Sequence, residues 1–148
     1  MKTLSVPGFY ESENFYANLR TVQTDFRIAD LINFSEESLG FALAEFLQQH
    51  HFSKDPILEK RDIFHVLTNT GISARAQIGL QFYLIGNGKK SITTCLAAIL
   101  GSMFYLHSLP FFFKKYKKGK NALLFHSLEF TKMLNQPLSK IRETFLIR

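Results

Sequence analysis

The residues best suited to chemistry stand together in Arg61-Asp62-Ile63-Phe64-His65. Residues three apart share a helix face, so on a helix Asp62 and His65 address one site. A carboxylate and a neutral imidazole are both ligands for a divalent metal. The same pair also reads as a hydrogen-bonded histidine next to an acid, and spacing alone does not separate the two. Other candidates have plainer readings. His50 and His51 close a helix, where a cationic imidazole suits the dipole. His107 and His126 stand among apolar residues and read as hydrogen-bonded structural histidines. Cys95, in an apolar run without a basic neighbour, reads as packing. The chain has no glycine-rich phosphate loop, nucleophile elbow or Cys-x-x-Cys.

These side chains need helices to position them. Before about Thr24 the chain is weakly patterned, with a turn at Pro7-Gly8 and a short helix over Phe15–Val22. Asn33-Phe34-Ser35-Glu36 has capping-box spacing, and Leu39, Leu43, Phe46 and Leu47 repeat at helical intervals, which predicts a helix over Ser35–Gln49. Asp55-Pro56 is a helix start, and that helix carries Ile57, Leu58, Phe64, Val66 and Leu67 to a stop near Asn69–Gly71. Ser73 caps the next helix, which holds Ile78, Leu80, Phe82, Leu84 and Ile85 and ends at Gly86-Asn87-Gly88. Leu123, Leu124, Leu128, Phe130, Met133 and Leu134 predict another helix, and Pro137–Leu146 a last one. No stretch alternates cleanly with period two, so the expected fold is all-α: a compact single-domain multi-helix bundle with an apolar groove between helices.

Ser91–Phe113 holds no Asp, Glu, Lys or Arg and is as long as a membrane span. Thr93, Thr94, Ser102, His107 and Ser108 dilute it, Pro110 interrupts it, and lysines flank both ends. The expectation is a buried helix broken near Pro110, with one face available to lipid.

The frame around His65 resembles the Coq-four family, the ubiquinone biosynthesis proteins. That family's pattern is His-Asp-x-x-His, eleven residues, then Glu, the four side chains binding a divalent metal. Here it runs Arg61, Asp62, two residues, His65, eleven residues, then Gln77. Leu67, Gly79, Gly88, Cys95 and Gly101, the stretch Ser35–Gly40 with Glu45-Phe46-Leu47, and the run from Gly119 through Leu146 are similar too. The resemblance spans residues 31–148, a Coq-four-like helical domain, after a weakly patterned segment 1–30 that is short for the family. It implies a helical protein that binds a long isoprenoid or acyl chain between its helices at a membrane surface. It further implies involvement in removing the ring carboxyl of a prenylated quinone precursor and in organising other ubiquinone biosynthesis proteins.

Two of the four implied ligands depart from the pattern. Arginine stays protonated and offers no lone pair. Glutamine offers a neutral carbonyl oxygen, better suited to Ca²⁺ than to zinc or iron. Arg61, Asp62, His65 and Gln77 therefore make a degenerate site. No cofactor is expected, and a divalent metal (Zn, Mg or Fe) only if that site still binds. Any remaining catalytic role would fall to Asp62 and His65. Arg61, or Arg75, is expected to pair with Asp62 in place of an ion; the plainer alternative is that Arg61 points into solvent.

For the lipid, Phe82, Leu84, Ile92, Leu96, Ile99, Leu100, Met103 and Phe104 supply apolar surface at helical spacing, and Gly79, Ala97, Ala98 and Gly101 leave room for a groove. Such stripes also serve as ordinary core. Each buried methylene of a ligand tail contributes about 0.8 kcal/mol. The chain carries 18 Lys and Arg against 12 Asp and Glu, net +6, with Lys114, Lys115, Lys117, Lys118 and Lys120 clustered after Phe111-Phe112-Phe113. That cluster suits an anionic bilayer, at about 1 kcal/mol per lysine near the surface, or a solvated basic loop. Sixteen Phe and no Trp make a bulky apolar composition. A single cysteine excludes an internal disulfide and permits a reducing compartment. The first residues lack the apolar core of a secretory signal. The expected location is cytoplasmic, peripheral on the inner face of the membrane. The expected partners are a prenylated quinone precursor or other long-chain lipid, the anionic membrane, other quinone-pathway proteins and a second copy of the chain.

Three classes of function follow. A lipid-binding quinone-pathway protein without the metal chemistry comes first. An active metalloenzyme of C1 decarboxylation or hydroxylation with a reduced ligand set is the alternative. A basic nucleic-acid module comes last, because the Phe residues fall in apolar runs and do not alternate with basic residues.

Overall fold

A computed structural model describes the backbone of residues 23–50 and 57–148 and the side chains of 26–50 and 58–148. The expected turn at Pro7-Gly8, the helix Phe15–Val22, the helix start at Asp55-Pro56 and His51 all lie outside the described residues. Within them the fold is an all-α bundle, as expected, with one short antiparallel ribbon. Strand β1 (Gln23–Arg27) pairs with β2 (Ile57–Glu59), Gln23 opposite Glu59 and Arg27 opposite Ile57. The ribbon corrects the reading of Ile57 and Leu58 as helical.

Each strand runs straight into a helix, and the two junctions share one device. Helix α1 (Ile28–Leu31) begins with the Arg27 N–H donating to Asp30 Oδ2 at 3.0 Å. Helix α3 (Lys60–Leu67) begins with the Glu59 N–H donating to Asp62 Oδ2 at 2.9 Å. An acid in the first turn answers the free N–H groups and the positive end of the dipole.

Helix α2 (Leu39–His50) starts later than the Asn33–Glu36 pattern suggests, because Ser38 is the cap. Its Oγ accepts from the Phe41 N–H at 3.1 Å and donates to the Ser35 carbonyl at 2.6 Å. The first turn of α2 is also tied to the C-terminal segment, Leu39 N–H to Gln136 O and Gly40 N–H to Leu134 O. Helix α4 (Ala74–Gly86) is capped by Ser73, whose Oγ accepts from the Ala76 N–H at 3.2 Å, and ends at Asn87 and the left-handed Gly88, both as the sequence predicts.

Helix α5 (Ile92–Phe104) and helix α6 (Leu109–Asn121) are joined by a 3₁₀ turn, Leu106–Ser108, and bend by 110°. The break falls at Tyr105. Pro110 sits in the first turn of α6, where a missing N–H costs nothing, so it starts a helix and does not interrupt one. The lysine cluster is therefore helical. Among the described residues no single helix is long and apolar enough to cross a membrane.

Helices α4 and α6 make the closest contact in the bundle. A Cβ at Gly119 would strike the Tyr83 carbonyl, and one at Gly86 the Tyr116 carbonyl. Gly79 meets Phe111 and Gly101 meets Ile78 in the same way, with 2.8 and 2.6 Å to a virtual Cβ. The small residues expected to open a groove instead let neighbouring side chains fill it.

The stretch after α6 is not the helix its leucines predict. Leu123–Glu129 is irregular, Phe130–Met133 is a 3₁₀ turn, and helix α7 (Leu138–Thr144) follows. Buried Asn87 explains the difference. Its Oδ1 accepts from the Phe125 and His126 N–H groups at 3.0 and 3.1 Å, while Nδ2 donates to the Leu123 carbonyl at 2.9 Å and the Gly119 carbonyl at 3.3 Å. With those backbone groups satisfied, the segment needs no helix, and Phe125 and Phe130 drop into the core beside Phe64 and Tyr83.

Candidate functional site

Helices α3, α4 and α5 meet at a small cleft lined by Arg61, His65, Gln77, Ile78, Gln81 and Ala97, with about 20 Å³ of free space. One helical turn of α3 separates Arg61 from His65 and places them on the same side, and α4 brings Gln77 and Gln81 across from them. Three of the four frame residues thus converge. Asp62 is buried but does not line the cleft, since its Oδ2 is turned to the Glu59 N–H.

His65 is buried at 3% exposure, with Nδ1 3.0 Å from the Thr70 carbonyl and its ring stacked on Phe46, centroids 5.7 Å apart. A carbonyl only accepts, so Nδ1 carries the proton and Nε2 keeps the lone pair in the neutral ring. Burial pushes the imidazole pKa down, only partly opposed by the Thr70 carbonyl. Arg61 reaches Glu59 at 3.5 Å, Arg75 lies over the Phe111 ring at 4.3 Å, and the Gln77 Nε2 donates to the Ile72 carbonyl at 2.8 Å.

These donors do not fit a divalent metal. Arg61 has no lone pair, Gln77 offers only a neutral oxygen, and Asp62 is engaged as a helix cap. Among the described residues no three His, Cys, Asp or Glu side chains come together as ligands would.

One participant was not legible in the chain order. Lys115, read as part of a basic cluster, is half-buried and its Nζ donates to Thr70 Oγ1 at 3.2 Å. Thr70 thereby links Lys115 on α6 to His65 on α3, and burial lowers the Lys115 pKa. Its only sequence signal was its spacing from Phe111, over whose ring its Nζ lies 5.8 Å from the centroid. Lys114, Lys117 and Lys120 are exposed and Lys118 is half-buried.

The eight apolar residues expected to line a groove separate into two groups. Leu84 is core at 2% exposure, and Phe82 stacks on Phe112 at 5.2 Å. Ile92, Leu96, Ile99, Leu100, Met103 and Phe104 face outward, from 51% exposed at Leu96 to 83% at Phe104. The buried side of α5 is the stripe through Thr94 and Ala98. Helix α5 is therefore not a buried helix, and among the described residues its apolar stripe forms an outer face. His126 is structural, with Nδ1 2.9 Å from the Asn87 carbonyl; His107 is exposed beside Tyr105; Cys95 is half-buried; His50 packs edge-on against Phe46.

The fold and cleft define a helical bundle with a polar site between three helices, one of which, α5, turns an exposed apolar face outward among the described residues. No family model matches the chain, and no curated protein matches it. Its fold is that of a solved protein from Nostoc punctiforme, provisionally named a ubiquinone biosynthesis protein. The two are 18% identical, with a TM-score of 0.68 over 97% of this chain and 76% of that one.

Proposed function

We propose that this chain is a diverged lipid-handling protein of the ubiquinone-biosynthesis type. It works on an anionic membrane surface, peripheral on the inner face, and binds a prenylated quinone precursor or another long-chain lipid. It does so without the metal-dependent ring decarboxylation that the resemblance implies. The observation that carries the reading is the outer face of α5. Among the described residues six large apolar side chains of this one helix are each at least half exposed, and exposed apolar patches mark interaction sites. Ser91–Phe113 contains no charged residue, while Lys89, Lys90, Lys114 and Lys117 stand at its two ends. A second copy docked on this face by a two-fold would bring those lysines together, whereas an anionic bilayer matches them. The bent α5–α6 pair is too short in each arm to span, which suits a helix lying in the interface. The fold shared with the Nostoc protein and the frame of Arg61, Asp62, His65 and Gln77 support the pathway. The test is flotation with vesicles of neutral and anionic composition, together with mass spectrometry of lipid co-purified with the protein. Binding to anionic vesicles with a prenylated or long-chain lipid retained is expected. Failure to float with either vesicle, with no lipid retained, refutes the proposal.

A further inference from the structure

We propose that the cleft between α3, α4 and α5 is an anion site, in which the Arg61 guanidinium binds a carboxylate or phosphate directly. The placing of a lipid chain beyond it rests on the lipid-handling reading above; the anion site itself does not. The cleft walls are donors or neutral groups: Arg61, His65, Gln77 and Gln81, closed by Ile78 and Ala97. No carboxylate is among them. Asp62 is turned into the helix cap, and Glu59 meets Arg61 only at 3.5 Å from outside the lining. Arg61 is 36% exposed, and one loose ion pair leaves most of its five N–H groups available. The Gln77 Nε2 spends one hydrogen on the Ile72 carbonyl and keeps the other. A planar guanidinium grips two oxygens of one anion in a fixed fork, which a free volume of about 20 Å³ accommodates as an edge and not as a whole molecule.

The position of the cleft sets what that edge is attached to. Ala97 closes one wall, and Leu100, one turn further along α5, is 55% exposed at the margin of the outer apolar face. In this proposal an amphiphile with its anionic group on Arg61 lays its chain along α5, from Ala97 toward the exposed Leu100 and Phe104. The charge that a bound metal would supply is built into the chain as a side chain.

Calorimetric titration of the folded chain with inorganic phosphate, benzoate and decyl phosphate tests this, with circular dichroism as the control for folding. All three are expected to bind, decyl phosphate the tightest. Arg61→Gln weakens each by about tenfold or more, the loss expected for hydrogen bonds to a charged group. Gln77→Glu, which leaves Arg61 in place but adds a carboxylate to the cleft, weakens them to a similar extent. Lys117→Gln, an equal loss of charge outside the cleft, changes affinity less than twofold. Phosphate and benzoate bound equally by the wild type, Arg61→Gln and Gln77→Glu overturn the anion site. Arg61-dependent binding with no advantage for decyl phosphate upholds the anion site and overturns the placing of a chain on α5.

Discussion

Replacing Ile99 and Phe104 together by serine separates membrane attachment from folding. Ile99 is 58% exposed and Phe104 83%. Full burial of such a side chain is worth about 1.5–3 kcal/mol, so transferring the exposed parts into acyl chains contributes roughly 1.5 kcal/mol for Ile99 and roughly 2 for Phe104. The double substitution should then lower the vesicle partition coefficient about 300-fold, or about 20-fold if the side chains immerse only halfway. The fold should hardly notice, because surface substitutions usually change stability by within about 0.5 kcal/mol. Flotation across a lipid concentration series gives the partition coefficient, and a thermal melt by circular dichroism gives the stability. An unchanged partition coefficient would refute the assignment of α5 to the bilayer. A large fall in melting temperature would show that these two side chains support the fold, contrary to their exposure.

Other consequences concern the frame behind the cleft. Asn87→Ala leaves two N–H groups and two carbonyls of Gly119–His126 without their partner, and should cost about 3 kcal/mol, near 10 °C in melting temperature; a loss under 1 kcal/mol in urea titration would refute the role of Asn87. Gly119→Ala forces a Cβ onto the Tyr83 carbonyl and should cost about 2–3 kcal/mol, whereas Gly71→Ala, with nothing within 4 Å, should be neutral or gain a few tenths; equal melting temperatures for the two would contradict the close α4–α6 contact. Burial holds the His65 imidazole below its ordinary value of 6.5. Above that pH the ring is neutral folded or unfolded, so stability is full; below it the unfolded chain takes up a proton that the folded ring resists, and stability falls with pH. Urea midpoints at pH 7.5 and 5.5 should therefore differ more in the wild type than in His65→Gln, and equal differences would count against this account.

Much of the bundle is legible in the sequence where the cause is local. Ser73 announces α4 and Gly88 ends it because a cap oxygen and a left-handed glycine act within one turn. The frame from Arg61 to Gln77 brings Arg61, His65 and Gln77 together because α3 and α4 are consecutive helices joined by a short turn. Asp62 departs from that frame for a reason that is also local: the first turn of α3 claims its carboxylate.

What the chain order does not carry is decided by groups far apart in sequence. The leucine pattern after α6 has helical spacing, yet Asn87 satisfies that backbone from a distance and leaves Phe125 free to enter the core. The lysine cluster is a uniform charge run on paper, yet Lys115 is drawn inward to the cleft region, because Thr70 lies within reach of its amine. Ser91–Phe113 specifies a continuous apolar run and no more. Whether an apolar helix face becomes core or surface depends on what packs against it; here Ile78 takes the Gly101 side of α5, which turns Ile99, Met103 and Phe104 outward.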